Sequence, residues 1–106
     1  MLGAIIGDVV GSIYEFNNHR SKEFDIYTDG MGFTDDTVMT VAVAEWLMLT
    51  DRSMAKLEDT MVYWGKQYGG AGYGNRFYCW LFLPRALGYG DKRVPYNSFG
   101  NGSAMR

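Results

Sequence analysis

The sequence has very few of the side chains from which many enzyme sites and covalent cross-links are built. Among its 106 residues, Cys79 is the single cysteine and His19 the single histidine. One cysteine excludes a disulfide within the chain. One residue of each kind also argues against a zinc site of the usual cysteine and histidine ligands, and against a serine–histidine–aspartate triad.

An excess of basic charge and a long apolar run are also missing. Ten lysines and arginines stand against twelve aspartates and glutamates, so nucleic acid is not expected as the primary partner. The apolar N-terminal stretch has no basic region before it and is interrupted by Asp8, which argues against a signal peptide and against a membrane-spanning helix. The sequence predicts a cytoplasmic protein without a membrane partner.

The apolar residues that are present suffice for one folded domain. They make up 47% of the chain, and aromatic residues make up 16%, which indicates a globule and not a disordered chain. A domain of this size buries about two thirds of the surface of its unfolded chain. The apolar residues recur at helical spacing without strand-like alternation, so the predicted fold class is all-α, with helices near 2–16, 35–50, 53–68 and 76–87.

The first predicted helix contains a glycine stripe and a polar face. Gly3, Gly7 and Gly11 are four residues apart, and a glycine inside a helix costs about 1 kcal/mol relative to alanine. Three of them on one stripe predict the close approach of a neighbouring helix. Asp8 and Glu15 lie seven residues apart and share a face, which is either solvated or one wall of a site. We expect these two carboxylates to line a cleft.

The triplet Thr34-Asp35-Asp36 directly precedes an apolar run and has two interpretations. As local structure, Thr34 is a helix N-cap, and the two aspartates lie in the first turn, where the helix dipole favours negative charge. As a site, the oxygen atoms of the triplet suit a hard cation such as Mg²⁺, Mn²⁺ or Ca²⁺. The triplet alone leaves both interpretations open.

Two glycine-rich segments follow the third predicted helix and the fourth. Gly72-Tyr73-Gly74 is neither a dinucleotide fingerprint nor a P-loop, because no strand precedes it and no Gly-Lys-Ser/Thr follows it. In the second segment two glycines flank an asparagine where a further helix should begin. Backbone N–H groups at such a place are suited to hold an anion. This segment is Ser98-Phe99-Gly100-Asn101-Gly102.

Together and in this order, the motifs resemble those of the ADP-ribosylglycohydrolase family. The resemblance extends from the first residues to the last, and four motifs in the family's order make it specific. It implies a compact all-α fold and metal-dependent hydrolysis of the N- or O-glycosidic bond that links ADP-ribose to a protein side chain or a small acceptor. The motifs are Gly3-Ala4-Ile5-Ile6-Gly7-Asp8 through Glu15, Phe33-Thr34-Asp35-Asp36-Thr37, Gly72-Tyr73-Gly74, and Ser98-Phe99-Gly100-Asn101-Gly102-Ser103-Ala104-Met105-Arg106.

The resemblance also implies roles for individual residues. Thr34, Asp35 and Asp36 would be ligands of Mg²⁺ or Mn²⁺, of which the complete family domain binds a pair. Glu15, Asp35 and Asp36 would be the catalytic carboxylates, and we expect them within a few ångströms of each other around a shared cation. The loop Gly72, Tyr73 and Gly74 would lie along the ADP-ribose, with Tyr73 at the cleft and not in the core. The diphosphate and distal ribose would be held by Ser98, Phe99, Gly100, Asn101 and Gly102.

One part of the family pattern has no counterpart in this sequence. The family takes its remaining metal ligands from a downstream Asp-x-Asp-Thr motif, so residues 1–106 are predicted to be the N-terminal portion of a single domain without its C-terminal metal-binding half. Two alternatives to an enzyme therefore stay open. They are an ADP-ribose-binding module without turnover and a structural family member of the kind used in certain eye-lens crystallins.

Overall fold

The computed structural model describes residues 1–88 and 90–105, which form helices and loops. This confirms the predicted all-α fold class. The α-helices are α1 (Leu2–Gly11), α2 (Asp35–Met48), α3 (Met54–Gln67), α4 (Asn75–Phe82) and the short α5 (Gly102–Met105), and 3₁₀ turns follow α1 at Ser12–Tyr14 and α4 at Pro84–Leu87. No helix in these ranges is long and apolar enough to cross a membrane.

Two helices end earlier than the sequence periodicity predicts. The Ser12 hydroxyl donates to the carbonyl of Val9 at 2.8 Å, and α1 tightens there into a 3₁₀ turn. The last predicted helix, near 76–87, ends as an α-helix at Phe82, because Pro84 has no N–H to donate and favours extended backbone in the residue before it. The chain then turns at Gly88, whose φ of 82° is in the left-handed region.

The core lies where α2, α3 and α4 meet. Its buried members are Val38 and Met39 of α2, Tyr73 of the loop between α3 and α4, and Leu81 of α4. Arg93 secures the end of α4, because its guanidinium donates to the carbonyls of Trp80 and Leu81, both at 2.9 Å. Because Val38 and Met39 lie in the first two turns of α2, the start of this helix is packed against the core.

The glycine stripe of α1 does not lie against a neighbouring helix, so that prediction is wrong. A Cβ placed on Gly3, Gly7 or Gly11 would meet no described atom within 4 Å. Gly65 in α3 does lie against a neighbouring helix, because a Cβ there would be 3.2 Å from Cδ1 of Leu81 in α4. Spacing places three glycines on one side of a helix, but only the packing of the other helices decides whether that side is covered.

Candidate functional site

A cleft of about 490 Å³ lies between α1, the start of α2 and the segment that leads into α5. Residues of α1 and its 3₁₀ turn form one wall, and they include Asp8 and Glu15. Thr34 and Asp36 contribute from the start of α2, and Asn101 contributes from the second glycine-rich segment. The prediction that Asp8 and Glu15 line a cleft is confirmed, and three of the four sequence motifs meet there.

Asp8 joins α1 to the first turn of α2 through three hydrogen bonds. Its Oδ2 accepts from the backbone N–H of Thr34 at 2.8 Å and from that of Thr37 at 3.2 Å. Its Oδ1 accepts from the hydroxyl of Thr34 at 2.5 Å. Partial burial by itself would raise the pKa of Asp8, but the hydrogen bonds from Thr34 and Thr37 outweigh burial and hold that pKa below its usual value.

The N-cap predicted at Thr34 is confirmed, and the carboxylate of Asp8 also caps the start of α2. Its backbone is extended, and its Oγ1 accepts from the N–H of Asp36 at 3.3 Å. The N–H of Thr37, which a capping side chain often takes as well, donates instead to Asp8. The sequence predicts that Asp8 lines a cleft but not that it bonds to the start of α2, because its partners lie 26 and 29 residues away.

The two aspartates of the triplet have different positions. Asp36 lines the cleft together with Glu15, whereas Asp35 is not among the described residues that line it. Consecutive side chains of an α-helix point about 100° apart around its axis, so two adjacent side chains cannot both point directly into the cleft. The backbone N–H of Asp35 donates to the carbonyl of Ala71 at 2.7 Å, which ties the first glycine-rich loop to the start of α2.

Tyr73 lies in the core, so the prediction that it lines the cleft is wrong. Its side chain is only 8% exposed, and its ring contacts Phe77 and Phe82 edge-on with centroids 5.9 and 5.8 Å away. Gly72 has a φ of 93°, which favours glycine, and the chain passes there from the end of α3 into α4. A large aromatic ring beside this turn gains more from burial among the aromatic side chains of α4 than from an open cleft.

The second glycine-rich segment is close to the cleft but reaches it through one residue. Asn101 lines the cleft, whereas the ring of Phe99 is fully exposed. The Ser98 hydroxyl accepts from the N–H of Gly100 at 3.0 Å, which closes a tight turn. The guanidinium of Arg76 donates to the carbonyl of Asn97 and anchors the segment to the start of α4.

The donor atoms of the cleft fit part of the ligand set of a hard divalent cation. Thr34, Asp36 and Glu15 offer a hydroxyl and two carboxylates, which are the oxygen ligands that Mg²⁺ and Mn²⁺ prefer. Within residues 1–88 and 90–105, however, no three Asp, Glu, His or Cys side chains come together as a metal-binding group. The expected meeting of Glu15, Asp35 and Asp36 around one cation is therefore not seen in this part of the chain.

The structure is all-α, and it places an acidic cleft beside the Thr-Asp-Asp start of α2. Comparison with known proteins gives the family. The pattern of the ADP-ribosylglycohydrolase family matches residues 1–106, so the chain belongs to that family. No curated protein and no solved structure matched the chain.

Proposed function

We propose that this cleft is part of the active site of a metal-dependent ADP-ribosylglycohydrolase. Such an enzyme hydrolyses the N- or O-glycosidic bond between ADP-ribose and a protein side chain or small acceptor. Membership of the family supports the reaction class. The observation that carries the proposal is that Glu15, the Thr34 helix start and Asn101, which come from three separate motifs, line one cleft.

Thr34, Asp36 and Glu15 are the residues that would hold Mg²⁺ or Mn²⁺. When bound, the cation supplies positive charge that orients hydroxyl groups of the substrate and favours ionisation of water. Asp35 stays a predicted ligand, and its backbone bond to Ala71 holds the helix start in place. These residues form a partial ligand set, so we expect weak binding of the cation by them alone.

Residues of the cleft would stabilise charge, transfer protons and bind the substrate. Cleavage of a ribosidic bond develops positive charge at the anomeric carbon, which the carboxylates of Glu15 and Asp36 would stabilise. Glu15 Oε would accept a proton from the water whose oxygen bonds to the anomeric carbon, and would pass that proton to the acceptor atom as its bond to the ribose breaks. The side-chain amide of Asn101 would donate to the ribose or the diphosphate. A role for the rest of the segment from Ser98 to Gly102 in holding the diphosphate stays a prediction.

The experiment measures binding and turnover separately. ADP-ribose is titrated calorimetrically into the chain with and without Mn²⁺, and release of ADP-ribose is followed from an ADP-ribosylated peptide. Glu15→Gln and Asp36→Asn should weaken both signals. Asp59→Asn is the matched control, because Asp59 lies on α3, is exposed and contacts Lys56 at 3.3 Å on the surface.

The outcomes separate the three interpretations. Release of ADP-ribose that depends on Glu15 supports the hydrolase. Binding without release supports the ADP-ribose-binding module, and the absence of both supports a structural protein. The cytoplasmic location and the status of residues 1–106 as the N-terminal portion of a larger domain stay predictions, as does the identity of the acceptor.

A further inference from the structure

The two carboxylate oxygens of Asp8 have separate partners. Oδ2 accepts from the backbone N–H groups of Thr34 and Thr37, at 2.8 and 3.2 Å. Oδ1 accepts from the Thr34 hydroxyl at 2.5 Å. The contacts of Oδ2 with two backbone N–H groups cap the start of α2. The contact of Oδ1 with the Thr34 hydroxyl is additional to this cap.

The additional contact determines the direction of the Thr34 hydroxyl proton. An ionised carboxylate only accepts hydrogen bonds, so the proton between Oγ1 and Oδ1 belongs to Thr34 and points towards Asp8. A hydroxyl has one proton and two lone pairs. The N–H of Asp36 occupies one lone pair at 3.3 Å, which leaves the other for the cleft that Thr34 lines.

We propose that Asp8 is a positioning residue that makes the Thr34 hydroxyl an obligate acceptor towards the cleft. Thr34 would then accept only electropositive groups of a ligand, either a divalent cation or a sugar O–H group, and would reject anionic oxygens. The identity of the ligand rests on the proposed function, whereas the orientation of the hydroxyl rests on the three hydrogen bonds alone.

Asp8→Asn separates this role from simple capping. The amide oxygen of asparagine can replace Oδ2 and accept from both backbone N–H groups, so the cap survives. The amide nitrogen then replaces Oδ1 and donates to Thr34 Oγ1, which reverses the hydroxyl. The matched control is Asp51→Asn, because Asp51 also accepts a backbone N–H, that of Ser53 at 2.9 Å, and is not among the residues that line the cleft.

The first measurement is NMR on the protein without ligand. In the natural chain and in Asp51→Asn, the Thr34 hydroxyl proton should be shifted downfield and should exchange slowly with water. In Asp8→Asn this proton signal should be lost, while the amide signals of Thr34 and Thr37 stay protected. An unchanged hydroxyl signal in Asp8→Asn, or one that is never protected in the natural chain, would overturn the proposal.

The second measurement is titration with Mn²⁺ and, separately, with ADP-ribose, so that the two kinds of electropositive group are distinguished. Loss of an outer-shell partner typically weakens metal binding about 10- to 100-fold, and we expect a loss in this range for Asp8→Asn. In a Thr34→Ala background, Asp8→Asn should cause no further loss. An equal loss in both backgrounds would show that Asp8 does not act through Thr34.

The two proposals fail in different ways. A natural chain that binds neither Mn²⁺ nor ADP-ribose contradicts the proposed function, and the hydroxyl signal still decides the orientation. A natural chain that binds either ligand while its Thr34 hydroxyl is unaffected by Asp8→Asn contradicts only the role of Asp8.

Discussion

Replacement of Gly65 by alanine tests how tightly α3 and α4 are packed. Gly65 is buried in α3, and a Cβ at this position would lie 3.2 Å from Cδ1 and 3.4 Å from Cδ2 of Leu81. Leu81 is itself 0% exposed, so its methyl groups cannot move aside into solvent. The new methyl group would therefore strain a part of the core that is already full.

Two effects of opposite sign decide the change in stability. Alanine is favoured over glycine inside a helix by about 1 kcal/mol. Overpacking of a core costs about 1–3 kcal/mol. Because both methyl groups of Leu81 face the new Cβ, we expect the packing cost to prevail, with a net loss of about 1 kcal/mol. In a domain of this size, such a loss lowers Tm by about 4–8 °C.

Gly7→Ala is the matched control. Gly7 is also inside a helix, but no described atom lies within 4 Å of a Cβ there. Only the propensity term remains, so Gly7→Ala should stabilise the protein by about 0.5–1 kcal/mol. The two substitutions are chemically identical, and we expect them to change the free energy of unfolding in opposite directions.

The assay is thermal and urea unfolding followed by circular dichroism, with the double variant Gly65→Ala/Leu81→Ala included. In the Leu81→Ala background the crowding methyl groups are gone, so Gly65→Ala should become stabilising. A Tm for Gly65→Ala equal to or above that of the natural chain would refute the packing argument. So would a Gly65→Ala effect that is the same with and without Leu81.

Three further predictions follow from buried side chains and from one surface ion pair. Met39→Ala should cost about 2–5 kcal/mol in urea unfolding, because Met39 is fully buried in α2, and a loss below 1 kcal/mol would contradict its place in the core. Tyr73→Ala should lower the free energy of unfolding by about 3–5 kcal/mol, as for other large buried aromatic residues. Unchanged stability together with weaker ADP-ribose binding would instead show that Tyr73 lines the cleft. The pKa of Asp91 is lowered by hydrogen bonds from Arg85 at 2.6 and 2.8 Å, so its stabilising contribution is present above the unfolded pKa and is lost as the pH falls through the lowered folded pKa. Arg85→Gln should therefore raise the NMR titration midpoint of Asp91, and an unchanged midpoint would show that the pair does not form in solution.

Features that depend on neighbours within a few residues could be predicted from the sequence. Helical periodicity predicted the four longer helices and their approximate bounds, with errors where a 3₁₀ turn or Pro84 ended the α-helix. The N-cap at Thr34 was predictable, because a hydroxyl followed by two carboxylates is a local signal. The shared face of Asp8 and Glu15 followed from the helical period in the same way.

Which of these helix faces are covered, and which side chains contact each other, depends on how the helices pack and could not be predicted. Asp8 and Thr34 are 26 residues apart, and nothing in the local pattern of either one names the other as its partner. The three spaced glycines of α1 are uncovered, whereas the single Gly65 is in close contact with Leu81. The burial of Tyr73 also depends on packing, because its ring is buried only where side chains of other helices surround it. Helical spacing sets the direction of a side chain around its own axis, and only the packing of the helices determines what it contacts.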